Sequence, residues 1–373
     1  MLNLTMPQVL TFWLQRHFLE DRTTPDQLHT VVSRICGLHA QVMSSAELAA
    51  HARIDGLGSA ALSTALWQER SLVKIWAMRW TLHLFSAADF PTYVAAFGSF
   101  RHFHSETWLK SVSLTPDDMN ALLEAFSVTL TADGLTREQL AAALAQNAGR
   151  PHLRDKLLGG WGTLLKPGAY QGHLLFGPNS GQNVTFVNPR HWLGDFPRHE
   201  THDAWLGIIR RYLAAYGPAT PADFATWWGT SRANARKLFK ALDAELTPVA
   251  VENREAWALH ADAAALQSIQ PVQTVRLLPG FDPYTLGLRR EYETALPFAH
   301  KGRVFRQQGW ISAVVLVGGA VVGVWNYEVK KGRAAITVQP FQSLSRTVQA
   351  GIEQEAARLG SYFDAEPVVI YAG

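Results

Sequence analysis

Three segments of the chain open in the same way. Thr24-Pro25-Asp26-Gln27, Thr136-Arg137-Glu138-Gln139 and Thr220-Pro221-Ala222-Asp223 each place a threonine before an apolar-periodic run. An acid or amide that can reach back to the cap follows three residues on, and two of the three carry proline at the first helical position. After each comes a short run of helices and then a set of alternating, β-rich segments. The first set is "LVKIWAM" with "WTLHLF". The second is "LLKPGAY" and "QGHLLFG" with "NVTFVN", and the third is "LTPVAVEN" with "AWALH". In the second set the intervening "GPNSGQ" has the chemistry of a hairpin tip. Helices followed by a hairpin, repeated every 60 to 100 residues or so, predict tandem winged-helix units. The third unit is the clearest, with helices over "TPADFATWWG" and "SRANARKLFKAL" directly ahead of its wing.

Beyond about residue 270 the pattern changes. "TVRLLPGF", "WISAVVLVGG", "AVVGVWNYEV" and "RAAITVQPF" are strand-like runs joined by Gly-rich turns, followed by one amphipathic helix, "LSRTVQAGIEQEAARLG", and a last strand, "PVVIYAG". The expected fold is therefore α+β and helix-rich: three tandem winged-helix units followed by a C-terminal β-barrel. The boundaries fall at 1–112, 113–198, 199–268 and 269–373.

Composition narrows the class. Of 373 residues, 47% are apolar and 17% charged, enough for a sizeable interior in several domains. No run reaches the ~20 apolar residues of a membrane helix, and "GWISAVVLVGGAVVGVW" is broken by Gly318-Gly319, either an ordinary tight turn, the favoured reading, or a hairpin tip that probes a groove. There is no signal-peptide pattern, and the single cysteine, Cys36, excludes a disulfide framework. The expectation is a cytoplasmic protein with no membrane partner. Net charge is only +3, so the placement of cations matters more than their total. "TSRANARKLFKAL" carries Arg232, Arg236, Lys237 and Lys240, and "AHKGRVFRQQ" carries Lys301, Arg303 and Arg306, neither with an acid; each is either a solvated basic face or a set of phosphate contacts.

Two polar side chains interrupt an oily stretch at Gly37-Leu38-His39-Ala40-Gln41. If the chain is extended after Gly37, His39 and Gln41 project to one side and can share a water molecule; otherwise they cap neighbouring backbone groups. Arg79 stands between Trp76 and Trp80 with His83 four residues on. Either the indoles stack on a guanidinium whose fork reaches a phosphate or base, or both indoles are core. His102, His104 and Glu106 have helical flanks, where i and i+2 diverge, so they do not read as a metal site, and Cys36 reads as an inert buried thiol. No cofactor motif is present.

"GLHAQVMSSAELAAHARI", "LVKIWAMRWTLHLFSAADF", "LLPGFDPYTLGLR" and "GWISAVVLVGGAVVGVW", in this order along nearly the whole chain, resemble the bacterial AlkZ/YcaQ family of winged-helix DNA glycosylases. The resemblance implies tandem winged helices and a β-barrel in a C shape around duplex DNA. The implied reaction is hydrolysis of the N-glycosidic bond of alkylated purines, of the N7-alkylguanine type, including bulky adducts and interstrand crosslinks, in DNA repair or self-resistance to DNA-alkylating compounds. Members position the attacking water with a Gln–apolar–Gln or Gln–apolar–Asp motif. The matching residues are His39, Ala40 and Gln41, so the second glutamine carries over and the first is replaced by histidine. In this light Arg289 and Arg290, then Lys301, Arg303 and Arg306, would hold phosphates on the barrel side, with Arg79 and His83 as further DNA contacts. The partner expected is double-stranded DNA bearing alkylated purines, bound by a monomer without cofactor or metal. Two other classes remain open at this level: a winged-helix DNA-binding protein without activity, serving as a regulator or damage sensor, and a protein-interaction scaffold whose binding would show no salt slope.

Overall fold

The computed structural model describes residues 2–372 apart from Trp161 and Arg290, so the phosphate role expected of Arg290 lies outside the described residues. The chain forms two compact units, Met1–Ala61 together with Ile209–Gly373, and Leu62–Ile208.

In the first unit, the helix Met6–Arg16 starts at a capping box in which Thr5 and Gln8 satisfy each other's backbone N–H groups. It buries Val9, Leu10, Trp13 and Leu14, and the Trp13 indole donates to the Gly217 carbonyl at 2.8 Å. Leu2–Leu4 pairs in parallel with Leu246–Val251, which pairs antiparallel with Arg254–Leu259. Ahead of that hairpin come the helices Pro221–Trp228 and Arg232–Ala241, as expected. The first is opened by a capping box between Thr220 and Asp223 and the second by Ser231.

The C-terminal strands also fall where the sequence pattern put them. Val275–Leu278, Ala313–Val317, Ala320–Lys330, Arg333–Pro340 and Glu366–Tyr371 form one five-stranded sheet in that order. The first four are antiparallel neighbours, and the last joins in parallel, with Ile336 opposite Val369. A parallel partner needs a long crossover, and the helix Arg346–Phe363 supplies it. That helix packs Ile352, Ala356 and Leu359 against Leu277, Val315, Ile336 and Val338. A register shift at Val315/Leu316 adds local twist. The expected barrel is corrected to a curled half-barrel: the order is linear, and among the described residues the first strand is not paired with the last. The Gly318-Gly319 turn is an interior one. A Cβ at Gly319 would lie 2.5 Å from the Tyr284 hydroxyl and 2.8 Å from Leu10 Cβ, so only glycine fits.

In the second unit, Leu72–Trp76 pairs with Leu82–Ser86, and Leu175–Ser180 with Asn183–Val187. A two-residue strand, Leu135–Thr136, adds to the second hairpin opposite Phe186, and Thr136 then caps the helix Arg137–Asn147 through a capping box with Gln139. "LLKPGAY" is not β. Lys166–Tyr170 is a helix with proline in its first turn, and it sets Tyr170 in the core, where its hydroxyl donates to the Ala77 carbonyl at 2.7 Å. The cap expected at Thr24, in the first unit, fails: Thr24 precedes a three-residue 3-10 turn that runs into the helix Leu28–Arg34, but it makes no cap and donates to Asp26 instead. An unforeseen capping box joins Thr115 to Asp118 ahead of the helix Pro116–Thr129. Among the described residues, no helix is long and apolar enough to cross a membrane.

Candidate functional site

The geometry around His39 begins with the end of the preceding helix, Leu28–Arg34. The Gly37 N–H returns to the Val32 carbonyl at 2.8 Å and the Cys36 N–H to the Ser33 carbonyl at 3.2 Å. This is the Schellman pairing, with Cys36 (φ 61°) and Gly37 (φ 95°) both left-handed. The chain leaves the helix sharply and enters a two-residue strand, Leu38–His39. The extension stops there: Gln41 sits in the bend before the helix Met43–His51, exposed, whereas His39 is 5% exposed. Cys36 is a buried thiol outside any disulfide.

The His39 ring lies flat on Phe281, centroids 5.0 Å apart and planes 6° apart, and Phe281 meets the edge of Trp310 at 5.0 Å. Phe281 has a φ of 61°, a conformation that costs a bulky residue roughly 1–3 kcal/mol. The neighbouring Asp282 shows what holds it. Its carboxylate takes two hydrogen bonds from Arg53, each 2.7 Å, accepts from the Tyr284 N–H at 2.9 Å, and is fully buried with Arg53. Arg53 also donates to the Ala49 carbonyl at 2.7 Å, so the pair ties the Phe281 turn to the end of the helix that follows Gln41. Trp310, 49% exposed, is one wall of an open cleft of about 700 Å³ that Gly280, Ser45, Asn326, Arg303 and Arg306 also line.

The sequence-derived DNA contacts divide by environment. Arg306 is exposed and Arg303 half-buried on the cleft, where Arg303 donates to Gln339 Oε1 at 3.1 Å and stands over the Phe341 ring. Lys301 is half-buried with its ammonium 4.0 Å from the Phe298 ring centroid. Arg289 is corrected: it is 4% exposed, donates to the Tyr216 carbonyl at 3.1 Å, and faces Asp223 at 3.7 Å and the Trp13 ring. Its charge is committed inside the protein. In the second unit, Trp76 packs on Phe176 at 4.7 Å and Trp80 stacks on Tyr170 at 5.3 Å, so both indoles belong to ring clusters. Arg79 is half-buried at a φ of 53° between them. His83, 3% exposed, lies parallel to Phe85, with Nδ1 3.1 Å from the Thr81 carbonyl oxygen. A carbonyl only accepts, so Nδ1 carries the proton, and burial removes His83 from the expected contact surface. His102 packs against Trp80 at 5.3 Å. Among the described residues, no three His, Cys, Asp or Glu side chains group as metal ligands would.

Phe281, Trp310 and the Arg53–Asp282 pair were not singled out from the sequence. The only signal was the stretch "LLPGFDPYTLGLR", where an aspartate before Pro283 marks a helix cap.

Comparison with known proteins gives the family of the chain. The model of the AlkZ-like DNA glycosylases matches residues 32–362, from the helix before His39 into the last helix. The chain belongs to the AlkZ-like DNA glycosylase family. It is 36% identical over 357 residues to an interstrand DNA cross-link repair glycosylase of Streptomyces sahachiroi, covering 94% of this chain and 95% of that protein. Among solved structures it is similar to the Streptomyces sahachiroi DNA glycosylase AlkZ, with a TM-score of 0.92, 34% identity and all of both chains covered. The family assignment agrees with the resemblance read from the sequence motifs.

Proposed function

We propose that this protein is a monofunctional DNA glycosylase that hydrolyses the N-glycosidic bond of alkylated purines in duplex DNA, with His39 and Gln41 positioning the water. N7-alkylguanine is the substrate type, with bulky adducts and interstrand crosslinks in range. DNA repair or self-resistance to an alkylating compound is the setting. The observation that carries the reading is His39 lying flat on Phe281, which a buried Arg53–Asp282 pair holds and whose ring meets Trp310 edge-on, with Trp310, Arg303 and Arg306 on the wall of the neighbouring cleft. Family membership and the cross-link repair glycosylase among its relatives support it.

The chemistry suits these residues. An N7-alkylated guanine is already cationic and departs readily through an oxocarbenium-like transition state. The enzyme then has to place water and stabilise charge rather than supply a strong acid. Burial and the contact with Phe281 restrict how far the His39 imidazole can swing. Gln41, exposed two residues later, offers both a donor and an acceptor. The cleft is open, which fits a lesion that crosslinking prevents from leaving the duplex; base-flipping enzymes instead use an enclosing pocket. We further propose that the helix-and-hairpin segments within 1–112, 113–198 and 199–268 act as three winged-helix units, with the half-barrel at 269–373, and that the protein works as a monomer in the cytoplasm.

The test is release of base from a duplex carrying one N7-methylguanine, and from one carrying a bulky or crosslinked purine, by wild type, His39→Ala and Gln41→Ala. The reading predicts release by wild type on at least one of these and a loss of about 10²–10⁴ in rate in each variant, the span of a positioned proton-handling group, with little change in DNA affinity. Release that persists when both residues are removed would place the water elsewhere. Binding without release from either duplex would favour the non-catalytic regulator or sensor.

A further inference from the structure

The second compact unit holds a cleft that this function leaves unused. Its volume is about 480 Å³, and it is bounded by the helix Phe90–Phe97, the turn at Gln171–His173 and the irregular stretch 194–200. Its lining mixes two chemistries. Pro91, Val94 and Phe196, whose ring meets Phe90 edge-on at 5.3 Å, are apolar. Arg190, Arg198, His173 and His199 are basic, and among the described residues of the wall there is no carboxylate.

Arg190 is placed rather than floating. It follows Asn188, which caps the short helix Pro189–Leu193 and accepts from the Arg190 N–H at 2.9 Å, and its guanidinium stands 4.8 Å from the Phe196 ring centroid. Asp195 approaches Arg190 to 3.5 Å, but its side chain is 99% exposed, so water screens that pair and neutralises little of the charge. The cleft is electropositive by default. Burial first, and then the Arg190 charge, hold the His173 pKa below its ordinary value.

We propose that this cleft binds a phosphate group on a nucleotide, with Arg190 and Arg198 on the phosphate and the sugar or base against Phe196 and Pro91. Guanidinium forks match phosphate oxygens, and the volume lies within the ~300–1,000 Å³ of small-ligand sites. The phosphate comes either from a DNA strand or from a free nucleotide. Only the first source rests on the DNA-glycosylase reading.

The experiment titrates the full-length protein with inorganic phosphate, 2′-deoxyadenosine 5′-monophosphate, deoxyadenosine and an undamaged duplex, for wild type, Arg190→Gln/Arg198→Gln and Arg198→Gln alone. The single variant changes an exposed side chain and guards against misfolding of the double one. If the source is a free nucleotide, the monophosphate binds saturably, about tenfold or more tighter than deoxyadenosine, and the double variant loses that margin. If it is DNA, duplex affinity falls and the slope of log K against log salt becomes shallower by about two in the double variant and about one in the single. In that case base release at saturating duplex is unchanged. Failure of the phosphate and the monophosphate to bind, with duplex affinity and slope untouched in folded variants, would overturn the proposal. The His39 and Gln41 assay is independent of this outcome, so either inference can fail alone.

Discussion

At the scale of single residues, the decisive feature is a strained phenylalanine held beneath a histidine. Phe281 keeps a left-handed backbone because Asp282, one residue on, is locked to Arg53 in the interior. Replacing Phe281 with alanine removes the surface on which His39 lies, and the reading expects kcat to fall about 10²-fold, as a displacement of about 1 Å costs, while duplex affinity barely moves. Single-turnover base release against measured binding separates the two. Arg53→Met leaves a buried carboxylate without its partner and should cost about 3–5 kcal/mol, whereas Arg53→Met with Asp282→Leu recovers part of that loss. Denaturant unfolding of both variants checks this, and equal losses would deny the pair its role. Such geometry was hard to read in advance. The charge run Arg289-Arg290 looked like surface, yet Arg289 is a core residue, because one charged letter does not state whether a buried carbonyl waits for it.

His51 gives a pH prediction at the same scale. Its ring packs on Tyr362 at 4.6 Å, and burial, then Arg358 and Arg22, lower its pKa to about 4 from 6.5. The folded-state value is depressed, so as pH falls below 6.5 the unfolded chain takes up a proton that the folded chain refuses until about 4. Stability present above 6.5 is therefore lost across that window. The wild-type Tm should drop between pH 6.5 and 4, and His51→Phe should flatten that limb. Superimposable curves would deny His51 a part in it.

At the scale of elements, the sequence was legible where local chemistry decides and opaque where distant chain decides. Thr136 and Thr220 cap helices because each has a side chain three residues on that answers it. Thr24 has the same letters around it but bonds Asp26 and caps nothing. Thr220→Ala should therefore cost about 1 kcal/mol and Thr24→Ala only a few tenths, by urea unfolding. Hairpins are legible because turn residues and period-two patterns are local. The strands Leu2–Leu4 and Leu135–Thr136 escaped because two or three residues carry no period, and their partners lie 247 and 51 positions away (249 − 2; 186 − 135). Lys166–Tyr170 is a helix where the pattern predicts β, because "LLKPGAY" is oily and short, and an apolar run of that length fits a buried helix equally well.

At the scale of the whole molecule, net charge is too small to hold a polyanion, so affinity for DNA has to come from where the cations stand. Of the basic residues named from the sequence, Arg303 and Arg306 line the open cleft beside Trp310, whereas Arg289 is enclosed with Asp223 and the Tyr216 carbonyl. The two kinds of arginine should fail differently when removed. Arg303→Gln with Arg306→Gln should weaken binding of damaged and undamaged duplex alike and reduce the salt slope by about two, at a Tm lowered only slightly by loss of the Gln339 and Phe341 contacts. Arg289→Met should leave the slope alone and lower stability by about 2–4 kcal/mol, since it strands a buried carbonyl and a partly buried carboxylate. Fluorescence anisotropy over a salt series, paired with thermal unfolding, reads both quantities on the same preparations. If Arg289→Met flattens the slope while the cleft pair does not, the phosphates lie elsewhere and the cleft has to be given up as the DNA-binding face.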